Sequence, residues 1–300
     1  MTALRMCGPD FQNGTSGIAL FLAHLYSATG ENLFRMTAES AMRHAFSRLD
    51  DVEPPNRLSF QTGLVGIAYA LLALAGTCEI EKFNSIALFI LEEICGDDSQ
   101  LETAEVDSDA ISALLGIYRD HPKDFILQTA LALGEKLIKS DAASPTALLD
   151  LFQATGDDRF RPKAGEQVAG DIAATLRAAE VLTGDTYTEQ ARSRMVDLIQ
   201  SLDDSLRSPQ MDFSLGAGLA AKADVLIEAA RVLHDESFRV AAERITSFGI
   251  DRYRKDSLPW PCSSPDKAET PGLKDGLAGI GYMYLRVSDM KVPSLRFGIE

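Results

Sequence analysis

Asn13-Gly14-Thr15-Ser16-Gly17-Ile18-Ala19-Leu20-Phe21-Leu22 sets a step of small residues before an apolar helix, and the chain repeats it. Close copies are Gln61-Thr62-Gly63-Leu64-Val65-Gly66-Ile67-Ala68-Tyr69-Ala70 and Asp275-Gly276-Leu277-Ala278-Gly279-Ile280-Gly281-Tyr282; weaker ones begin at Asp109-Ala110-Ile111-Ser112-Ala113-Leu114-Leu115-Gly116 and Leu215-Gly216-Ala217-Gly218-Leu219-Ala220. With Gly14, Gly63, Ala113, Gly218 and Gly276 taken as equivalent, the first two steps are 49 and 50 residues, the length of a helical hairpin. Each of these helices is apolar nearly all round, as a helix buried on both sides must be, and its Gly-x-x-Gly lets a neighbour approach closely.

Several copies lead into one type of turn, Thr29-Gly30-Glu31, Thr155-Gly156-Asp157 and Thr183-Gly184-Asp185, in which Gly ends one helix and an acid opens the next. Amphipathic helices are expected near residues 32–48, 80–95, 124–140, 186–203 and 236–253, solvated on one side. No sustained period-2 run competes with them. Apolar inner helices alternating with amphipathic outer ones close most naturally into a ring, because an open stack leaves an apolar face bare. The expected fold is therefore all-α, an α/α toroid, with residues 1–300 forming one domain. Two of the turns stand only 28 residues apart, so the ring is expected to be shortened or irregular between residues 140 and 185.

The 300 residues are 46% hydrophobic, enough for a large core, and carry a net charge of −15. That charge repels phosphate backbones, so neither nucleic acid nor an anionic membrane is an expected partner. The opening MTALRMCGPD is too short and polar for a signal peptide, and Gly and charges interrupt every apolar run below membrane-spanning length. Cys7, Cys78, Cys95 and Cys262 show no disulfide spacing, which points to free thiols and a cytoplasmic protein.

The repeated steps, together with Thr270-Pro271-Gly272-Leu273 and the closing Val292-Pro293-Ser294, resemble the lanthionine synthetase C-like family, most closely the cyclase domain of class II lanthipeptide synthetases. The resemblance implies addition of a peptide cysteine thiol to a dehydroalanine or dehydrobutyrine. Family members hold that thiol as thiolate on a zinc bound by two cysteines and a histidine. Two of those ligands form a Cys-His-Gly run, and the matching positions here are Gly216 and Ala217. The third falls near Pro162 to Ile172, and no Cys or His occurs between His121 and His234. A further family histidine, expected near residues 141–147, is also missing. Neither a metal nor another cofactor is expected. The family's dehydratase would lie upstream, so the implied partners are a precursor peptide, dehydrated or not, and a separate kinase or dehydratase.

Asp109 matches the family's acid at the start of its third inner helix; the alternative is a plain N-cap. Lys222 follows the lost ligands and is a candidate occupant of the vacated space. Cys262, in Leu258-Pro259-Trp260-Pro261-Cys262-Ser263, is the third catalytic candidate, although no base accompanies it, and a loop cysteine without function is the alternative. Asp109, Glu166, Asp171, Lys222, Lys274 and Asp275 could ring the toroid mouth, where acids also serve simply as helix starts. Three functions stay open: a zinc-free cyclase, a non-catalytic scaffold that presents peptide to another enzyme, and an unrelated hydrolase or cyclase on the same toroid.

Overall fold

A computed structural model of the chain describes residues 7–140, 144–161, 171–182, 184–208, 211–264 and 268–295. Helices dominate in chain order: α1 (Thr15–Thr29) and α2 (Asn32–Phe46), α3 (Leu64–Thr77) and α4 (Glu81–Cys95), the short α5 (Asp98–Thr103), then α6 (Ser108–Asp120) and α7 (Asp124–Lys139). They continue with α8 (Pro145–Thr155), α9 (Ile172–Val181) and α10 (Asp185–Gln200), the short α11 (Leu202–Arg207), α12 (Leu219–Leu233) and α13 (Glu236–Gly249), and α14 (Leu277–Ser288). Among the described residues there is no strand.

Seven of these helices pack in sequence α1, α3, α6, α8, α9, α12, α14, and α14 returns to α1, so the ring closes. Each of α2, α4, α7, α10 and α13 packs on the inner helix that precedes it. The all-α toroid expected from the repeats is the observed fold. Gly14, Gly63, Gly218 and Gly276 are the residues that cap α1, α3, α12 and α14. Gly30 and Gly156 end α1 and α8 in the left-handed region, at φ 72° and 69°, which favours glycine. Thr183 lies outside the described residues.

The second glycine of each Gly-x-x-Gly receives the neighbouring loop. A Cβ at Gly66 would strike Phe60 O and stand 2.7 Å from the Phe11 Cβ; at Gly17 it would stand 2.9 Å from Leu273 Cβ, and at Gly279 2.9 Å from Leu215 Cβ. Each inner helix is thus keyed to the loop before its neighbour.

Two expectations shift. Helix α5 ends at Thr103 and α6 begins at Ser108, and the cap of α6 is Asp107, whose carboxylate accepts from Asp109 N and Ala110 N. The residue equivalent to Gly14 is therefore Asp107, not Ala113, which sits inside the helix because an acid has replaced glycine at the cap. The irregularity of the ring is also localised: among the described residues, α8 is followed by a 3-10 turn, Asp158–Phe160, where the other hairpins place an outer helix. Its buried Phe160 comes within reach of Gly134 on α7, where only glycine leaves room.

Candidate functional site

The loops before the inner helices meet at one end of the ring. Gly216 N donates to Lys274 O (2.7 Å), Lys274 N to Gln12 O (2.7 Å), and Gln12 N to Gln61 O (2.9 Å). All four residues stand two positions before a helix cap, so the repeat itself builds this belt. The Gln61 side chain extends it by donating to Asp109 Oδ2 (2.8 Å). The residues one step earlier, Phe11, Phe60, Leu215 and Leu273, are apolar and point into the ring's core.

Inside the belt lies a cavity of about 190 Å³, with Gln12, Gln61, Asp109 and Lys274 at its rim and Phe11, Leu273 and Leu295 in its wall. Leu295 belongs to the C-terminal segment, which enters the lumen from α14: Tyr282 Oη donates to Pro293 O (2.9 Å), Arg286 Nε to Val292 O (3.0 Å), and Ser294 Oγ to Asp224 Oδ2 (2.9 Å). A second cavity, of about 140 Å³, shares Asp109 and Leu295 with the first.

Asp109 sits between the two cavities. Because Asp107 does the capping, the Asp109 carboxylate is engaged instead by Gln61, at the surface of the mouth. Asp171, Lys274 and Asp275 also belong to the mouth, whereas Glu166 lies outside the described residues. Lys222 does not line either cavity: its ammonium donates to Ser205 Oγ of α11 (2.6 Å). Its place four residues into α12 turns it toward the outer layer. Cys262 is fully buried in the core around Phe213 and Leu219, and burial raises its thiol pKa despite hydrogen bonding with Thr270. That environment disfavours the thiolate a nucleophile needs.

Gly216, which the resemblance pairs with a zinc ligand, is closely packed. A Cβ there would stand 3.0 Å from Lys274 Cγ and 3.1 Å from Asp275 Oδ1. Asp275 in turn accepts from Gln12 Nε2 (3.2 Å) and Asn13 Nδ2 (2.6 Å), and its N–H donates to Asn13 Oδ1 (3.1 Å), so the loop is locked in place. Ala217 is exposed. Residues 162–170 of the third ligand run, and 141–143 of the region expected to carry the further histidine, lie outside the described residues. Among the described residues, no three His, Cys, Asp or Glu side chains converge as a metal site needs. With no donor atom at Gly216 or Ala217 and a lysine stem beside them, the residues present do not fit the zinc of the resembled family.

A family model for lanthionine synthetase C-like proteins matches residues 5–154, half of the chain, and covers α1 to α7 and almost all of α8. The chain belongs to the lanthionine synthetase C-like family. No curated protein matches it. Among the described residues, no helix of this family member is long and apolar enough to cross a membrane.

The sequence reading missed a chain of ion pairs, buried at its two ends, that runs along the inner helices. Ser112 Oγ on α6 donates to Asp150 on α8 (2.5 Å), and Asp150 pairs with Arg177 on α9 (2.6 Å). Arg177 also pairs with Glu180 (2.6 Å), Glu180 with Arg231 of α12 (2.7 Å), and Arg231 with Glu228 (2.5 Å). Arg286 of α14 closes the series on Glu228 (3.2 Å) and Asp224. Burial raises the Asp150 carboxyl, against the pull of Arg177 and Ser112 toward its charged form. Burial also opposes the Arg286 charge, but Asp224 and Glu228 outweigh it and raise its pKa. The signal was present: Asp224 and Glu228 interrupt an otherwise apolar inner helix, where no solvent could satisfy them.

Proposed function

We propose that this chain binds a precursor peptide across the mouth of the toroid and promotes addition of its cysteine thiol to a dehydroamino acid without the family's zinc. Family membership supports cyclase-type chemistry in the broad sense. The observation that carries the zinc-free reading is the close packing at Gly216, where Lys274 stands beside the position that the resemblance pairs with a zinc ligand. In this reading the ammonium of Lys274 supplies positive charge near the attacking sulfur, which favours thiolate. Asp109, free of capping, takes the thiol proton as the C–S bond forms and returns one to the α-carbon, so no external reactant is consumed.

The scaffold reading has one observation in its favour. With Leu295 in the lumen, the cavity of about 190 Å³ is smaller than most small-molecule sites. Peptide held across such a mouth is presented rather than engulfed.

The test is loss of thiol alkylation in a dehydrated precursor, since cyclisation leaves mass unchanged. Cyclisation should be indifferent to chelators and should rise with pH toward a free thiol's pKa of about 8.5. Asp109→Asn and Lys274→Ala should each slow it by roughly 10²-fold. Abolition by chelator overturns the zinc-free reading. If the wild type equals the no-protein control while still binding peptide, the scaffold reading replaces it.

A further inference from the structure

The polar part of the second cavity is made of carboxylates and hydroxyls. Asp109 and Asp171 bring carboxylates to it from the starts of α6 and α9, and Asp171 gives one oxygen to Ala173 N (2.9 Å). Ser112 and Ser294 line it too, yet the hydroxyl proton of Ser112 is committed to Asp150 (2.5 Å) and that of Ser294 to Asp224 (2.9 Å). Ser112 therefore offers the cavity lone pairs, and the hydroxyls of Ser108, Ser144 and Thr146 beside it can accept as well as donate. Behind them, among the described residues, the ionic chain between Asp150 and Asp224 holds four carboxylates against three guanidiniums, with its two ends at Ser112 and Ser294. Among the described residues no Lys, Arg or His lines the cavity.

A separate observation points to a ligand. Tyr69 lines the same cavity, is 5% exposed, and its hydroxyl makes no hydrogen bond among the described residues. Burial, and then the charge of Asp120, push that phenol up, so it stays neutral. The oxygen is not sealed off by protein, so it opens onto the cavity and can pair with whatever fills it.

Two carboxylates with no described cation beside them, and hydroxyls that can turn their lone pairs inward, favour a ligand that donates and is positive. We propose that this cavity binds a primary ammonium or guanidinium, the side chain of a Lys or Arg in the bound peptide, anchored by Asp171, Ser112 and Tyr69. The aromatic faces of Phe60 and Tyr69 in the wall suit the same charge. That the cation arrives on a peptide rests on the function proposed above; the preference for a cation does not. Asp109, at the junction, then lies between the anchored residue and the first cavity, where Lys274 is.

Capped pentapeptides Ac-Gly-Gly-X-Gly-Gly-amide, with X as Lys, Arg, norleucine or Nε-acetyl-lysine, are titrated against the full chain at low salt and followed by NMR. The Lys and Arg peptides should bind roughly tenfold more tightly than the two neutral ones. Asp171→Asn keeps a helix cap, because Asn caps as well as Asp, and should bring the Lys peptide to within about twofold of norleucine. Tyr69→Phe removes only the hydroxyl and should weaken the Lys peptide about threefold, with helicity and Tm as in the wild type. Equal binding of Lys and norleucine peptides by the wild type, or binding of a neutral hexose in place of the peptides, overturns the proposal. A chain ending at Leu295 is titrated in parallel, since Arg296 carries the same guanidinium chemistry. Binding seen only after that truncation assigns the cavity to the chain's own tail and overturns the peptide assignment. Cation preference without any cyclisation would sink the proposed function alone; cyclisation without cation preference would sink this inference alone.

Discussion

The ring is held together differently on its two sides. From α1 to α6 the inner helices are joined by glycines and apolar side chains, as where Phe11 sits against Gly66 and the rings of Phe11, Phe60 and Tyr69 cluster with centroids 4.6 to 5.7 Å apart. From α8 to α14 a chain of ion pairs is added to the apolar contacts, buried at Asp150 and again at Asp224, Glu228 and Arg286. The first side is also where the family model matches and where each inner helix has its outer partner. Apolar contact tolerates drift as long as volume is conserved, whereas a chain of ion pairs is bound to its own partners. The difference teaches that one architecture can be closed by two kinds of bond with opposite sensitivities.

The largest effect should come from breaking the ionic side. Arg286 is 3% exposed and faces both Asp224 and Glu228, so Arg286→Leu takes a guanidinium from two buried carboxylates, leaving Asp224 to Ser294 and Glu228 to Arg231. The expected loss is about 3–5 kcal/mol in chemical denaturation. Replacing Arg286, Asp224 and Glu228 together with Leu, Asn and Gln should recover a large part of it, because the charges then leave as a set. A single variant as stable as the wild type would mean the chain of ion pairs does not join the helices.

On the apolar side the matching test is Gly66→Ala, which drives a Cβ into Phe60 O and toward Phe11. Overpacking of this kind should cost about 1–3 kcal/mol. Gly76, in the same α3, has nothing within 4 Å of its would-be Cβ. Gly76→Ala should therefore gain about 0.5–1 kcal/mol through helix propensity. If both substitutions move stability in the same direction, the keyed-loop account of Gly-x-x-Gly fails.

The two sides were not equally legible in the sequence. The Gly-x-x-Gly copies at Gly14, Gly63 and Gly276 placed the helix starts because that spacing answers to one steric requirement. The outer helices over 32–48 and 236–253 followed from amphipathic period. At α6 the same reading slipped by several residues, since Asp107 meets the cap's hydrogen-bonding need without being small. The ion chain stayed hidden because a charged residue in a helix is usually solvated, and only its apolar surroundings in Leu219–Leu233 distinguish Asp224 and Glu228. At the mouth, sequence order drew Lys222 toward Gly216 and Ala217, while the ring brings Lys274 there from the next inner helix. That neighbour relation exists only once α14 has packed against α12.

An effect that depends on pH tests the seam where the two sides meet. His24 of α1 lies edge-on to Tyr282 of α14, with ring centroids 5.4 Å apart, and its Nε2 is buried without a partner. Burial lowers its pKa to about 4. The folded value then lies below the unfolded one of about 6.5, so the unfolded chain takes up the proton first as pH falls. Stability is complete above pH about 6.5 and is lost on the way down toward pH 4, on the order of 1–2 kcal/mol by pH 5. Carboxylates contribute their own acid dependence, so the measurement is the difference between wild type and His24→Phe, unfolded by urea from pH 7 to pH 5. The variant cannot take up that proton and should hold its relative stability over the interval while the wild type loses it. Parallel curves for the two proteins would show that His24 reaches water through an opening at the seam, and that the join between the apolar and ionic sides is looser than either.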